Sequence, residues 1–255
     1  MEKIKLEVIA ESVESALAAQ KGGADRLELC VNLIQGGVTP NFGLIKTIKK
    51  VVSIPVFTMI RPRAGDFVYS DLEFEVMKND IEVCKELNVD GVVLGILNQD
   101  GNIDIKRTRE LVELAGDMEV TFHRAFDLSR DPVDCLEQVI DTGAARVLTS
   151  GWNQNVDLGL DTLRKLNKQS DSRIIILAGG GVNKGNIQGI IEQVGLKECH
   201  FSAKRPMENK RVFINEPHSS FKETNSPENE CYEVDELKVK ELRQIIDLIN
   251  SDQSK

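Results

Sequence analysis

The sequence has no long hydrophobic run. Its longest uninterrupted apolar stretch is Ile174 to Ala178, far short of the roughly 18 residues a membrane span needs. It has no excess of basic charge: 32 Lys and Arg stand against 41 Asp and Glu, a net charge of −9. A chain this acidic is not built to bind nucleic acid or an anionic membrane. No two of its five cysteines form a C-x-x-C pair, which argues against a disulfide scaffold and a structural zinc module. The opening residues, MEKIKLEVIAES, lack the apolar core of roughly 7–15 residues and the cleavage site of a secretory signal. The expectation is a cytoplasmic protein with reduced thiols. Hydrophobic residues at 41% and charged residues at 29% are ordinary globular usage, which excludes a collagenous or wholly disordered chain.

What is present is a rhythm. Eight short apolar or β-branched runs alternate with longer amphipathic stretches: Leu6–Ala10, Arg26–Cys30, Val56–Ile60, Gly91–Leu97, Val120–Arg124, Arg146–Thr149, Arg173–Ala178 and Cys199–Ala203. Helix start signals lie between them. Ser12 caps a helix that Gly22 and Gly23 end, and Thr39-Pro40 reads as a cap with proline at the first helical position. Ser70-Asp71-Leu72-Glu73 is a capping box, Asp131-Pro132 repeats the cap and proline, and Asp235-Glu236 opens the last helix, Leu237 to Ile249. Strands alternating with helices pair in parallel, because a parallel pair needs a crossover. Eight such units in 255 residues give an α/β fold, a single-domain (β/α)8 TIM barrel; an open doubly wound sheet is the alternative. Lys204 to Cys231 breaks the rhythm: it is polar, carries Pro206, Pro217 and Pro227, and reads as a loop insertion before the last helix.

Strand side chains alternate faces, so one parity packs against helices and the other fills the lumen. Leu6, Val8, Leu27, Leu29, Val56, Ile60, Val120, Phe122 and Phe201 take the outer parity. Glu7, Glu28, Cys30, Phe57, Met59, Arg61, Thr121, His123, Asp127, His200 and Ser202 take the inner one. Barrel interiors are mostly branched and apolar, and charge there is costly unless paired. The set is therefore either an ion-pair network, for instance Arg61 with Glu28 or Glu7, or a functional site at the carboxyl ends of the strands.

Two glycine-rich turns extend that site. Gly179-Gly180-Gly181 follows the seventh strand and opens a helix, where backbone N–H groups cradle an anion. Ser202 ends the eighth strand and adds a hydroxyl. The other turn, Gly36-Gly37-Val38, follows the second strand. Arg61 and Arg63 add guanidinium forks at the same end, suited to carboxylate or phosphate. Arg124 has the wrong parity and is expected to make a salt bridge to a helix instead.

These residues carry a family signature. Arg26-Leu27-Glu28-Leu29-Cys30, Gly36-Gly37-Val38-Thr39-Pro40, Ile60-Arg61-Pro62-Arg63-Ala64-Gly65-Asp66-Phe67-Val68-Tyr69-Ser70-Asp71, Thr121-Phe122-His123-Arg124-Ala125-Phe126-Asp127, Leu148-Thr149-Ser150-Gly151 and Ala178-Gly179-Gly180-Gly181-Val182 resemble the CutC family of copper homeostasis proteins. One departure is Ala64, where the family often has glycine. The resemblance implies a TIM barrel, a cytoplasmic protein, a link to copper with Cu(I) as cofactor or partner, and a homodimer, which the residues themselves do not mark.

Two functions follow. Cu(I) prefers thiolate and thioether ligands. Cys84 and Cys135 lie on helix core stripes, Cys199 has outer parity and Cys231 lies unconstrained in the polar loop, so Cys30 is the cysteine that points into the lumen, with Met59 and His123 on the same face as a soft set. The alternative is an enzyme for a small phosphorylated or carboxylated molecule. In it Glu28, His123 and Asp127 supply acid and base, Arg61 takes part in the chemistry, and Arg61, Arg63, Gly179, Gly180, Gly181, Ser202 and Glu7 hold the ligand. No inner-parity lysine suggests a Schiff base, and no H-E-x-x-H, Walker A or strand-first G-x-G-x-x-G motif occurs.

Overall fold

The computed structural model describes residues 3–207 and 232–252. Eight strands, β1 (Lys5–Ala10), β2 (Arg26–Leu29), β3 (Val56–Met59), β4 (Gly91–Leu94), β5 (Glu119–Phe122), β6 (Arg146–Thr149), β7 (Ile175–Ala178) and β8 (Glu198–Phe201), close in chain order into a barrel. Every neighbouring pair is parallel, β1 with β8 included. Around them run α1 (Val13–Gly22), α2 (Phe42–Val51), α3 (Asp71–Glu86), α4 (Ile105–Ala115), α5 (Pro132–Thr142), α6 (Leu160–Ser170), α7 (Ile187–Val194) and α8 (Glu236–Asp252). The fold is the expected (β/α)8 TIM barrel. Among the described residues, no helix is long and apolar enough to cross a membrane.

Local signals explain most boundaries. The Ser12 side chain accepts from Ser15 N, and Gly23 ends α1 in a left-handed conformation at φ 94. Ser70 and Glu73 form the reciprocal capping box, and Asp131 caps α5 with Pro132 behind it. Thr39-Pro40 is a correction. Asn41 caps α2, accepting from Leu44 N, while Thr39 Oγ1 accepts from Arg61 N at 2.9 Å and ties two loops together. Lys204–Pro206, at the start of the expected insertion, pairs antiparallel with Tyr232–Val234, just past its end, as β9 and β10. Residues 208–231 of that expected loop lie outside the described residues.

Strand parity is obeyed. Leu6, Val8, Leu27, Leu29, Val56, Ile60, Val120, Phe122 and Phe201 join the helices in one large buried cluster, together with Cys84, Cys135 and Cys199. Each such Leu, Ile, Val or Phe contributes about 1.5–3 kcal/mol through removal from water. A second, separate cluster of Ile9, Cys30, Phe57, Met59 and Val93 fills the lumen. Below it lies a layer of charge. Arg26 Nε bonds Glu7 Oε2 at 2.6 Å, Arg26 Nη2 reaches Glu198 at 2.5 Å, and Arg146 joins Glu198 and Glu119. The Phe57 ring has the Arg26 guanidinium 4.6 Å and the Arg146 guanidinium 5.0 Å from its centroid. The lumen thus contains an ion-pair network, as one reading of the sequence expected, but Arg26 and Arg146 supply its cations rather than Arg61.

Candidate functional site

At the carboxyl ends of the strands a cavity of about 470 Å³ opens into the barrel, lined by Glu28, Met59, Arg61, Phe67, His123, Arg124, Gly180, Gly181, His200, Ser202 and Lys204 among others.

Its floor is set by register. Glu7 on β1 stands opposite Arg26 on β2 and His200 on β8. His200 Nδ1 lies 2.7 Å from Glu7 Oε1 and 4.0 Å from Glu28 Oε2. Burial alone would raise the Glu7 carboxyl, but Arg26 and the His200 hydrogen bond hold it down at about 2. Glu28 has no such cation in contact. Burial, with the Glu7 charge adding to it against His200 and Arg26, brings its carboxyl up to about 7. Its Oε2 is buried without a hydrogen-bond partner. Burial disfavours charge on His200, yet Glu28 and Glu7 outweigh it and raise the imidazole.

His123 follows β5 on the opposite wall, at the start of the turn Arg124–Leu128. Its Nδ1 accepts from Ala125 N at 3.2 Å, while its Nε2 is buried and unpartnered. The ring sits 4.9 Å from Phe67, whose other contact is the Arg61 guanidinium, 4.7 Å from its centroid. Burial, then the Arg61 charge, push His123 down to about 3, so the ring is neutral.

Arg61 lines the cavity, but its fork is occupied. Nη1 donates to Gln35 O and Gly37 O, both at 2.8 Å, and Nη2 donates to Gly65 O at 2.9 Å. It staples two loops over the mouth and lends its charge to the cavity. Arg63 is not in the lining; it binds Glu73, Asp66 and the Val68 carbonyl. Asp127 shares His123's parity but is not a lining residue either. Its carboxylate accepts from Thr149 Oγ1, Ser150 N, Trp152 N and Arg124 Nε, which makes it a clamp on the β6 loop. The short 3-10 turn Arg124–Leu128 follows His123 and ends the strand alternation, so Arg124, expected to face a helix, lines the cavity instead.

The glycine turn divides. Gly180 and Gly181 line the cavity with φ of 97 and 90, where a side chain would be strained. Gly179 is outside the lining; a Cβ there would come within 2.6 Å of Leu148 Cδ1 and 3.0 Å of His200 Cβ. It is small so that His200 can stand beside it. Ser202 and Lys204 close the rim on either side of Ala203, a non-glycine residue at φ 47.

Met59 lines the cavity, whereas Cys30 is fully buried beneath it. A Cβ on Gly37 would lie 3.1 Å from Cys30 Sγ and 3.4 Å from Met59 Cε. Burial, with Glu28 and Glu11 adding to it, drives the Cys30 thiol far above its usual range. Among the described residues, Glu7, Glu28 and His200 form the one group whose ligand atoms approach within 4.8 Å. These donors are hard or borderline, and Arg26 already occupies one Glu7 oxygen.

The sequence reading placed His200 in the lumen without giving it a role, and it missed Phe67, Lys204, Arg26 and Arg146. Arg26 and Arg146 were legible in principle, because each stands two residues before an inner-parity position.

The pattern of the CutC family matches residues 4–205. A CutC family protein of Bacteroides thetaiotaomicron is 46% identical over 85% of this chain and 87% of its own. The human copper homeostasis protein cutC homolog is 46% identical over 82% of this chain and 77% of its own. The solved CutC structure from Streptococcus agalactiae superposes with a TM-score of 0.74 at 35% identity, covering 77% of this chain and 97% of that one. With its barrel, its lumen charges and its mouth loops in place, the chain belongs to the CutC family.

Proposed function

We propose that this protein is an acid–base enzyme acting on a small phosphorylated or carboxylated molecule at the carboxyl-end mouth of the barrel. The observation that carries this reading is Glu28. It is a buried carboxyl in the cavity lining, with an unpartnered oxygen and its protonation balanced near neutral pH. A carboxyl in that state suits proton transfer at physiological pH. Arg61, Arg124 and Lys204 around the same space favour an anion, and Gly180, Gly181 and Ser202 supply a rim of the kind barrels use for phosphate. Asp127 and Arg63 hold loops in this reading, and Glu7 orients His200.

The test is the melting temperature of the purified protein with inorganic phosphate and with a panel of small phosphorylated and carboxylated compounds. The reading expects a rise with at least one class, reduced in Lys204→Ala. No rise across the panel contradicts it.

Copper is the second reading, favoured by the human relative's name and by Cys30 and Met59 packing in one cluster. The two donors match Cu(I) by type but not by state. A cysteine binds Cu(I) as its thiolate, and here burial keeps the single lumen thiol protonated, which leaves the Met59 thioether as the one soft donor of the two in its binding state. The other described cysteines belong to the outer cluster.

A further inference from the structure

The two histidines of the cavity are wired in opposite senses. His123 Nδ1 accepts the Ala125 N–H, so the ring's proton must sit on Nε2. That Nε2 is buried with no partner in the protein, and an N–H left so is costly unless something else accepts it. The ring lies close against Gly95, where a Cβ would come within 2.6 Å of Nδ1 and 2.7 Å of Cε1, so the absence of a side chain there makes room for it.

His200 is the reverse. Its Nδ1 is paired with Glu7 Oε1 at 2.7 Å, and Arg26 Nε bonds the other Glu7 oxygen at 2.6 Å. An ionised carboxylate only accepts, so Nδ1 of His200 carries a proton. The ring nitrogen left to change state is Nε2, on a residue that lines the cavity. A buried carboxylate that fixes the tautomer of an imidazole and balances its charge is the logic of a catalytic triad's acid member.

We propose that the two rings divide the work: His200, positioned by Glu7, exchanges a proton with the bound molecule, and His123 is a fixed neutral donor to an oxygen of it. The proposal rests on the acid–base reading of the cavity and deepens it. The molecule it selects carries a carbonyl oxygen beside the position where the proton moves. When His200 Nε2 takes that proton, the ring becomes an imidazolium whose charge Glu7 balances. The electron pair left behind moves onto the oxygen that His123 Nε2–H holds. Glu28, whose Oε2 lies 4.0 Å from His200 Nδ1, is a second carboxyl lining the same cavity.

The experiment is ring-nitrogen NMR of the ligand-free wild-type protein with 15N-labelled histidine near pH 7.5. The chain has three histidines, so His123→Asn, His200→Asn and His218→Asn assign the signals, and no conclusion depends on their activity. The expected result is the neutral Nε2–H form for His123 and a protonated Nδ1 for His200. The His200 Nδ1 proton should resonate far downfield and move upfield in Glu7→Gln, while the His123 signals stay in place. An Nδ1–H or doubly protonated His123, an unprotonated His200 Nδ1, or a His200 signal unmoved by Glu7→Gln overturns the division of roles even if phosphate binds. A failed ligand panel overturns the acid–base reading whatever the tautomers.

Discussion

His200 Nδ1 stands 2.7 Å from Glu7 Oε1, joining the first and last strands of the barrel across 193 positions of sequence. Both residues are buried, and Arg26 holds the far side of Glu7. The contact closes the barrel and presents an oriented imidazole to the cavity, so one hydrogen bond serves fold and site together.

Arg26 is the counter-charge on which this layer depends. Removing one member of a buried ion pair strands the other, which costs about 3–5 kcal/mol. Arg26→Met is expected to lose stability of that order in urea unfolding, because it takes a cation from both Glu7 and Glu198 and leaves Glu7 with His200 and Glu198 with Arg146. A loss under about 1 kcal/mol would show that the lumen charges are hydrated rather than paired.

Glu28 should behave in the opposite way. Its carboxyl is raised from 4.5 to about 7, so the folded state binds a proton that the unfolded state has released. The resulting stabilisation is complete below about pH 4.5 and is lost as pH rises through about 7. Glu28→Gln removes a buried charge at pH 8 and should raise stability there by up to about 3 kcal/mol. At pH 4 the two proteins should differ little. Thermal unfolding at both values checks this; a variant destabilised at both would assign Glu28 to the fold.

Gly95 is small because His123 occupies the space beside it. Its backbone is not left-handed, so the effect of Gly95→Ala is steric. The expected cost is about 1–3 kcal/mol, accompanied by a shift of the His123 ring signals. Unchanged ring signals would mean that the strand moves and the histidine does not.

Much of this was legible in residue order. Period-2 alternation separates the outer cluster from the lumen, and Glu7, Glu28, Met59, His123 and His200 fall where parity puts them. Three things were not legible. Arg61 spends its fork on the carbonyls of Gln35, Gly37 and Gly65, and a backbone carbonyl has no residue type to read. The 3-10 turn after His123 ends the alternation, so Arg124 turns into the cavity while Asp127 turns away into hydrogen bonds with the β6 loop. Gly179 has the residue type of an anion cradle but lies against Leu148 and His200, a contact between strands that sequence spacing cannot show.

Cys30 provides the copper test. With its thiol held protonated beneath Gly37, Cys30→Ser should leave Cu(I) retention against a competing chelator unchanged. Near-stoichiometric retention in the wild type that disappears in the variant would restore copper as the first reading.

The most direct test of the acid–base account is the ionisation of Glu28 itself. Protein labelled with 13C at the glutamate carboxyls, with the Glu28 signal identified by its loss in Glu28→Gln, is titrated by NMR. The account predicts a midpoint near 7. A midpoint in the ordinary carboxylate range near 4.3 would contradict it.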